Sequence, residues 1–289
     1  MQQSPIKERT RPDWLRIKLD TSNDFLQTQK LMRDQKLNTV CEEARCPNIY
    51  ECWGRQTATI MILGDICTRS CGFCSVKTGR PNKIDVDEPR RTAAAVKSMQ
   101  LRHVVITSVD RDDLKDNYGA VIWVETIRHI KESSPKCTVE VLTPDFRNNK
   151  DSYEMVFKAQ PDIFSHNIEC VKRISAAVRP QSDWDRSLSI LEASVDYGLK
   201  TKTGMMVGLG ETDIEVLETM QESANIGISI FNIGQYLQPT INHLPVERFV
   251  HPDTFERYKE KGLEMGFRVV ESGPLVRSSY HADEQARQL

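Results

Sequence analysis

The chain lacks any apolar run near the roughly 20 residues that a membrane-spanning helix needs. Its opening stretch, Met1 to Trp14, is polar and contains no apolar segment of the kind that directs export. A soluble, cytoplasmic protein with no membrane partner is therefore expected. A basic block is missing too: 39 Lys and Arg stand against 41 Asp and Glu, scattered along the chain, for a formal charge of −2. Phosphate backbones are held by clustered positive charge, so nucleic acid is not an expected partner. There is no low-complexity tract, and no His-Glu-x-x-His pair marks a zinc peptidase helix.

What is present is an ordinary globular composition, 39% hydrophobic and 28% charged over 289 residues, enough for one large α/β body or two small ones. Its unusual feature is the placing of cysteine. Six of the eight cysteines fall between Cys41 and Cys74 as two triplets, Cys41-x4-Cys46-x5-Cys52 and Cys67-x3-Cys71-x2-Cys74. Inside cells thiols stay reduced, so such crowding points to a metal centre before disulfides. Structural zinc wants four closed ligands, usually arriving as two pairs, and three plus three fits that arithmetic poorly. A four-iron cluster on three thiolates leaves one iron open to a small molecule, and the second triplet has the tight spacing for it. Cys137 and Cys170 stand apart and read as buried structural residues.

From Thr57 onward, short apolar runs alternate with amphipathic stretches, which predicts repeated β/α units around a parallel sheet. Strands are expected near Thr57–Leu63, His103–Thr107, Val139–Leu142, Ile163–Asn167, Thr201–Val207 and Ile230–Gly234. Helices are expected near Arg91–Gln100, Ala120–Ser133, Lys150–Ala159, Asp183–Gly198, Thr212–Ile226 and Pro252–Met265. The fold is read as α/β, a partial (β/α)6 TIM-like barrel with N- and C-terminal extensions: 1–56, then the barrel at 57–266, then 267–289. Polar residues gather just after the strands, where such a barrel builds its site.

The segment Cys67-Thr68-Arg69-Ser70-Cys71-Gly72-Phe73-Cys74 matches the C-x3-C-x-aromatic-C pattern of radical S-adenosylmethionine enzymes. The upstream C-x4-C-x5-C triplet, Arg277-Ser278-Ser279-Tyr280 near the end, and Thr107 to Asp113 resemble the lipoyl synthases within that superfamily. The resemblance runs from about Trp14 to Ala282. It implies two [4Fe–4S] clusters: one on Cys67, Cys71 and Cys74 that takes S-adenosylmethionine, and an auxiliary one on Cys41, Cys46, Cys52 and Ser278 that donates sulfur. Radical chemistry would insert two sulfur atoms at C6 and C8 of an octanoyl group on a carrier-protein lysine. The partners implied are octanoylated lipoyl-carrier domains, an electron donor such as ferredoxin or flavodoxin, and an iron–sulfur carrier. The two chain ends must then meet beside the barrel mouth.

Further candidates are read with a bland alternative beside each. Asn167 and Glu169 suit the ribose and amino-acid portions of S-adenosylmethionine, and Arg179 its carboxylate; the alternatives are loop polarity and, for Arg179, an exposed turn before Pro180. Ser108 and the carboxylates of Asp110 to Asp113 sit at a strand end, against helix capping. Phe73 and Leu237, with Met205, suit adenine or the acyl chain, against ordinary core. Gly208-Leu209-Gly210 lacks the third glycine of a dinucleotide loop, since residue 213 is Asp. It reads as a tight turn near the adenosyl group or as plain turn chemistry. The rival functions are another two-cluster radical enzyme, such as a methylthiotransferase, and a non-catalytic zinc-stabilised interaction protein.

Overall fold

His103-Val-Val-Ile-Thr is a run of β-formers buried on both faces, as a parallel strand covered by helices requires. Such strands organise the computed structural model, which describes residues 11–17, 22–54 and 59–289. They are β1 (Asn38–Thr39), β2 (Thr59–Ile62), β3 (Ile66–Cys67), β4 (Lys77–Thr78), β5 (His103–Ser108), β6 (Thr138–Leu142), β7 (Ile163–Ser165), β8 (Thr201–Val207), β9 (Ile230–Gln235) and β10 (Val269–Gly273). Eight of them form one sheet in the order β1-β2-β5-β6-β7-β8-β9-β10, parallel from β2 to β10, with β1 antiparallel on β2. The sheet is open, in keeping with a partial barrel rather than a closed one. β3 and β4 pair separately as a small parallel ribbon at the base of the second cysteine loop.

The crossovers are the six expected helices, found at Glu88–Ser98, Ala120–Ser133, Lys150–Lys158, Trp184–Asp196, Asp213–Ile226 and Pro252–Met265. Their limits follow local chemistry. The side chains of Asn149, Asp183 and Thr212 accept amide N–H groups of the first turn, and Thr212 forms a reciprocal capping box with Glu215. Gly227 and Gly266, at φ 93° and 105°, end two helices in the left-handed conformation. Trp184, Ser187, Ile190, Leu191 and Ser194 place one face of the fourth helix in the core.

All six expected strands are present as β2 and β5 to β9, although residues 57 and 58 of the first lie outside the described residues. Two features differ from expectation. Val269–Gly273, placed in the C-terminal extension, is a seventh parallel strand, paired from Val269↔Ile230 to Gly273↔Gly234. Only two apolar residues precede Glu271, so its own sequence signal is short. In the N-terminal extension the chain forms the helix Asn23–Asp34 and two short ones, Val40–Glu43 and Ile49–Gly54, that carry cysteines.

Because the strands are parallel, the loops that follow them, at 63–79, 108–119, 143–149, 166–171 and 236–250, lie at the carboxyl-terminal edge of the sheet. Among the described residues no helix is long and apolar enough to cross a membrane.

Candidate functional site

Those loops and both chain extensions enclose a cavity of about 540 Å3. Its wall includes all six clustered cysteines, Ser278, and each of Phe73, Ser108, Asn167, Glu169, Arg179 and Leu237. None of the eight cysteines is in a disulfide. Cys137 and Cys170 are buried away from the cavity.

The second triplet lies on a loop pinned at every turn. Cys67 Sγ receives the backbone N–H groups of Arg69 and Asp110, both at 3.4 Å. Thr68 N–H donates to the Asp110 carbonyl at 3.0 Å, and Asp112 N–H donates to Thr68 Oγ1 at 3.0 Å. Gly72 N–H donates to Val178, and its carbonyl accepts Leu244 N–H, both at 2.9 Å. A Cβ at Gly72 would lie 2.8 Å from Leu244 Cγ, so only glycine lets the two segments approach this closely. The Cys74 carbonyl accepts from His243 Nε2 at 3.0 Å, and His243 Nδ1 faces Thr240 Oγ1 at 2.8 Å.

The first triplet is carried by the N-terminal helices and closed by the C-terminal tail. Thr39 caps the short helix holding Cys41 by accepting Glu42 N–H; Cys46 N–H donates to the Cys41 carbonyl at 3.0 Å, and Cys52 N–H to Asn48 at 2.9 Å. Asn48 Nδ2 donates to the Leu275 carbonyl at 2.6 Å, while Tyr280 Oη and His281 Nε2 reach Glu51 at 3.2 Å. From the sheet, Asn232 Nδ2 donates to the Ser278 carbonyl at 2.9 Å and Thr59 Oγ1 to Ser279 Oγ at 2.6 Å; from the loop after β7, Asn167 Nδ2 donates to Ser278 Oγ at 2.6 Å. The two ends of the chain do meet beside the mouth.

Burial sets the electrostatics of these thiols. It pushes Cys41, Cys67 and Cys71 up to about 12, with Cys46 adding to Cys41 and Asp110 adding to Cys67 and Cys71. Cys46 and Cys74 are raised chiefly by burial as well, and Arg277 partly offsets this at Cys46. Burial raises the lone Cys137 and Cys170 as well, so the shift itself marks no ligand. The fit rests on the donor set: six soft thiol donors lining one cavity are what iron–sulfur clusters take. Among the described residues no three His, Cys, Asp or Glu side chains are gathered as a single-ion site would gather them.

The remaining candidates sort by where the structure puts them. Arg179 is buried, not in an exposed turn; Nη1 donates to the Asn167 carbonyl at 3.2 Å and Nη2 to Ser187 Oγ at 3.3 Å, while Nε has no partner. Asn167 Nδ2 also reaches Glu169 Oε1 at 3.0 Å, and Asn167 Oδ1 is an unpartnered buried acceptor. Burial raises the Glu169 carboxyl, and Arg179 and Asn167 work against that. Polar atoms left open at a cavity wall are what a polar ligand requires. Ser108 Oγ donates to the Val109 carbonyl, and Asp110 lines the cavity. Asp112 and Asp113 turn instead to Arg69 and Arg111; neither caps the next helix, which begins at Ala120 with Gly119 as its N-cap.

Gly208-Leu209-Gly210 is not brought to the cavity. Glu211 accepts the N–H groups of Gly208 and Leu209 at 2.7 and 2.9 Å, and a Cβ on Gly208 would fall 2.2 Å from Gln235 Nε2. That turn serves packing. The sequence reading placed Thr143-Pro144-Asp145 at the mouth, and Asp145 does line the cavity; it missed Arg69, Asn232, His243 and Arg277. Of these, Arg69 and Arg277 stand inside recognised motifs; the others carry no local signal.

Comparison with known proteins agrees with this geometry. A profile for the radical SAM superfamily matches residues 61–222, and one for the N-terminal domain of lipoyl synthase matches residues 2–46. A lipoyl synthase of Rubrobacter xylanophilus is 55% identical over 95% of this chain and 86% of its own length. One of Shouchella clausii is 52% identical over 96% and 91%, and a mitochondrial one of Nematostella vectensis 49% over 95% and 94%. Among solved structures, Streptococcus suis SuiB bound to S-adenosylmethionine superposes with a TM-score of 0.59 at 13% identity, covering 86% of this chain and 61% of that one. Methylornithine synthase superposes with a TM-score of 0.53, also at 13% identity, over 88% and 83%. At such identities the structural likeness concerns the fold, whereas the sequence matches extend over nearly the whole chain: it belongs to the lipoyl synthase family of radical SAM enzymes.

Proposed function

We propose that this chain inserts sulfur at C6 and C8 of an octanoyl group carried on a lysine of a lipoyl-carrier domain. The observation that carries the reading is that both cysteine triplets and Ser278, 237 residues after Cys41 in the chain, face one cavity. When bound, the two [4Fe–4S] clusters and S-adenosylmethionine supply the radical that takes hydrogen from unactivated carbon and the sulfide that replaces it.

The residues here hold and orient. Cys67, Cys71 and Cys74 hold the cluster that takes S-adenosylmethionine; Cys41, Cys46, Cys52 and Ser278 hold the auxiliary cluster. Arg179 and the Asn167–Glu169 pair receive the charged amino-acid and ribose groups, Ser108 adds a strand-end hydroxyl, and Phe73 and Leu237 offer apolar contact. Fixed ligand positions on one cavity wall hold the reacting groups in a set geometry, which a short-lived carbon radical needs. The extensions at 1–56 and 267–289 serve as the two halves of the auxiliary site on the barrel at 57–266, with β10 joining the C-terminal one to the sheet. A cytoplasmic setting, a ferredoxin or flavodoxin as reductant, and an iron–sulfur carrier to rebuild the auxiliary cluster complete the reading.

Iron and sulfide counts on three reconstituted proteins test the assignment. Changing all of Cys41, Cys46 and Cys52 to Ala, or all of Cys67, Cys71 and Cys74, is expected to halve the content in each case. If either triple variant keeps the full wild-type content, that triplet holds no cluster and the reading fails.

A further inference from the structure

Arg69 lies in the three-residue spacer between Cys67 and Cys71, yet its side chain is 4% exposed and saturated with carboxylates. Its Nε and Nη2 donate to the two oxygens of Asp112 at 2.8 and 2.9 Å, Nη2 also reaches Asp145 Oδ1 at 2.6 Å, and Nη1 lies 3.3 Å from Asp110 Oδ1. Two further arginines share these carboxylates: Arg147 pairs with Asp112 and Arg186 with Asp145, both at 2.8 Å. Three guanidinium and three carboxylate groups thus tie the loops after β5 and β6, and the helix Trp184–Asp196, to the spacer between two cysteines. A lysine cannot reproduce this, because a point charge lacks the planar fork that serves several carboxylates at once.

The backbone of the same pair closes a ring around one sulfur. Arg69 and Asp110 pair through their side chains, and both backbone N–H groups point at Cys67 Sγ at 3.4 Å. Hydrogen bonds to ligand sulfurs are among the levers that set the reduction potential of an iron–sulfur cluster.

We propose that Arg69 is a positioning residue for the radical step: through Asp110, Asp112 and Asp145 it holds the two N–H···S contacts to Cys67 and so sets how readily the cluster there is reduced. This rests on the assignment of Cys67, Cys71 and Cys74 to that cluster and is independent of which acyl group is the substrate. Removing the N–H donors withdraws stabilisation from the more negative, reduced state.

The test compares the wild type with Arg69→Lys, which keeps the charge and loses the fork, and with Asp145→Asn, which leaves the cysteine loop unchanged. Iron content, the midpoint potential of the S-adenosylmethionine-binding cluster, and 5′-deoxyadenosine formation without acyl substrate are measured on each. Both variants are expected to hold the wild-type iron content, to have a more negative midpoint, and to form deoxyadenosine about tenfold more slowly at saturating S-adenosylmethionine. Loss of iron from the second triplet in both variants would overturn the proposal, leaving the network as a structural tie of the cysteine loop and not a control on its potential. Loaded variants with unchanged midpoint and unchanged rate would overturn it. A wild-type chain that holds no iron on the second triplet would instead remove the assignment beneath it.

Discussion

Ser278 is held at its carbonyl from β9 and at its hydroxyl from the loop after β7. Its carbonyl accepts from Asn232 and its hydroxyl from Asn167, so the residue assigned to the auxiliary cluster shares a hydrogen bond with one assigned to S-adenosylmethionine. A serine oxygen is a harder donor than a thiolate and suits a ligand that must be released as its cluster is dismantled. Ser278→Ala is accordingly expected to form deoxyadenosine while losing at least about tenfold in sulfur-bearing product, as judged by mass spectrometry of both products from one reaction. Equal loss of both products would place the fault at the radical cluster. At this scale the convergence of the six cysteines and Ser278 on one cavity was legible because their spacings and neighbours form patterns. Asn232 was not, since its partner lies 46 positions away and nothing beside it in the chain marks the contact.

At the scale of elements, β9 and β10 decide where the C-terminal tail runs. β9 ends at Gly234-Gln235, and the tail crosses so close that a Cβ on Gly234 would stand 2.0 Å from the Val276 carbonyl oxygen. Gly234→Ala must therefore displace the tail or bend the strand, and overpacking of this kind costs about 1–3 kcal/mol. A lower thermal midpoint is expected, together with weakened sulfur insertion, because Ser278 follows the displaced segment; an unchanged midpoint would contradict the contact. The six long helices could be read from their periodicity and caps, for instance Thr212 with Glu215. β10 could not, because its strand character comes from pairing with β9 and from the helix that returns the chain, not from Val269 and Val270 alone. The short helices at Val40–Glu43 and Ile49–Gly54 are hidden for a similar reason: four and six residues are too few to show a period.

The molecule as a whole places titratable groups inside its sheet, and that has a pH signature. His166 sits at the cavity wall with Nδ1 facing the Thr143 carbonyl at 2.8 Å; burial holds it down at about 4, against an opposing pull from Asp145. The unfolded chain takes up this proton near the ordinary value of about 6.5, before the folded chain does. Stability from this group is therefore complete above that value and is lost as pH falls toward 4, by at most ~3 kcal/mol. Urea midpoints measured between about pH 7 and 5.5 should fall less steeply for His166→Asn than for the wild type. Identical slopes would mean that His166 titrates normally in the folded protein.

It is also at this scale that the functional account stands or falls, since it requires two chain ends and a barrel to present two clusters to one substrate. The direct test is an anaerobic reaction of the fully loaded enzyme with S-adenosylmethionine, a strong reductant and an octanoyl-lysine peptide, followed by mass spectrometry. The account predicts 5′-deoxyadenosine together with peptide carrying sulfur at C6 and then at both C6 and C8. Deoxyadenosine with an unmodified peptide, from protein shown to hold both clusters, would contradict it.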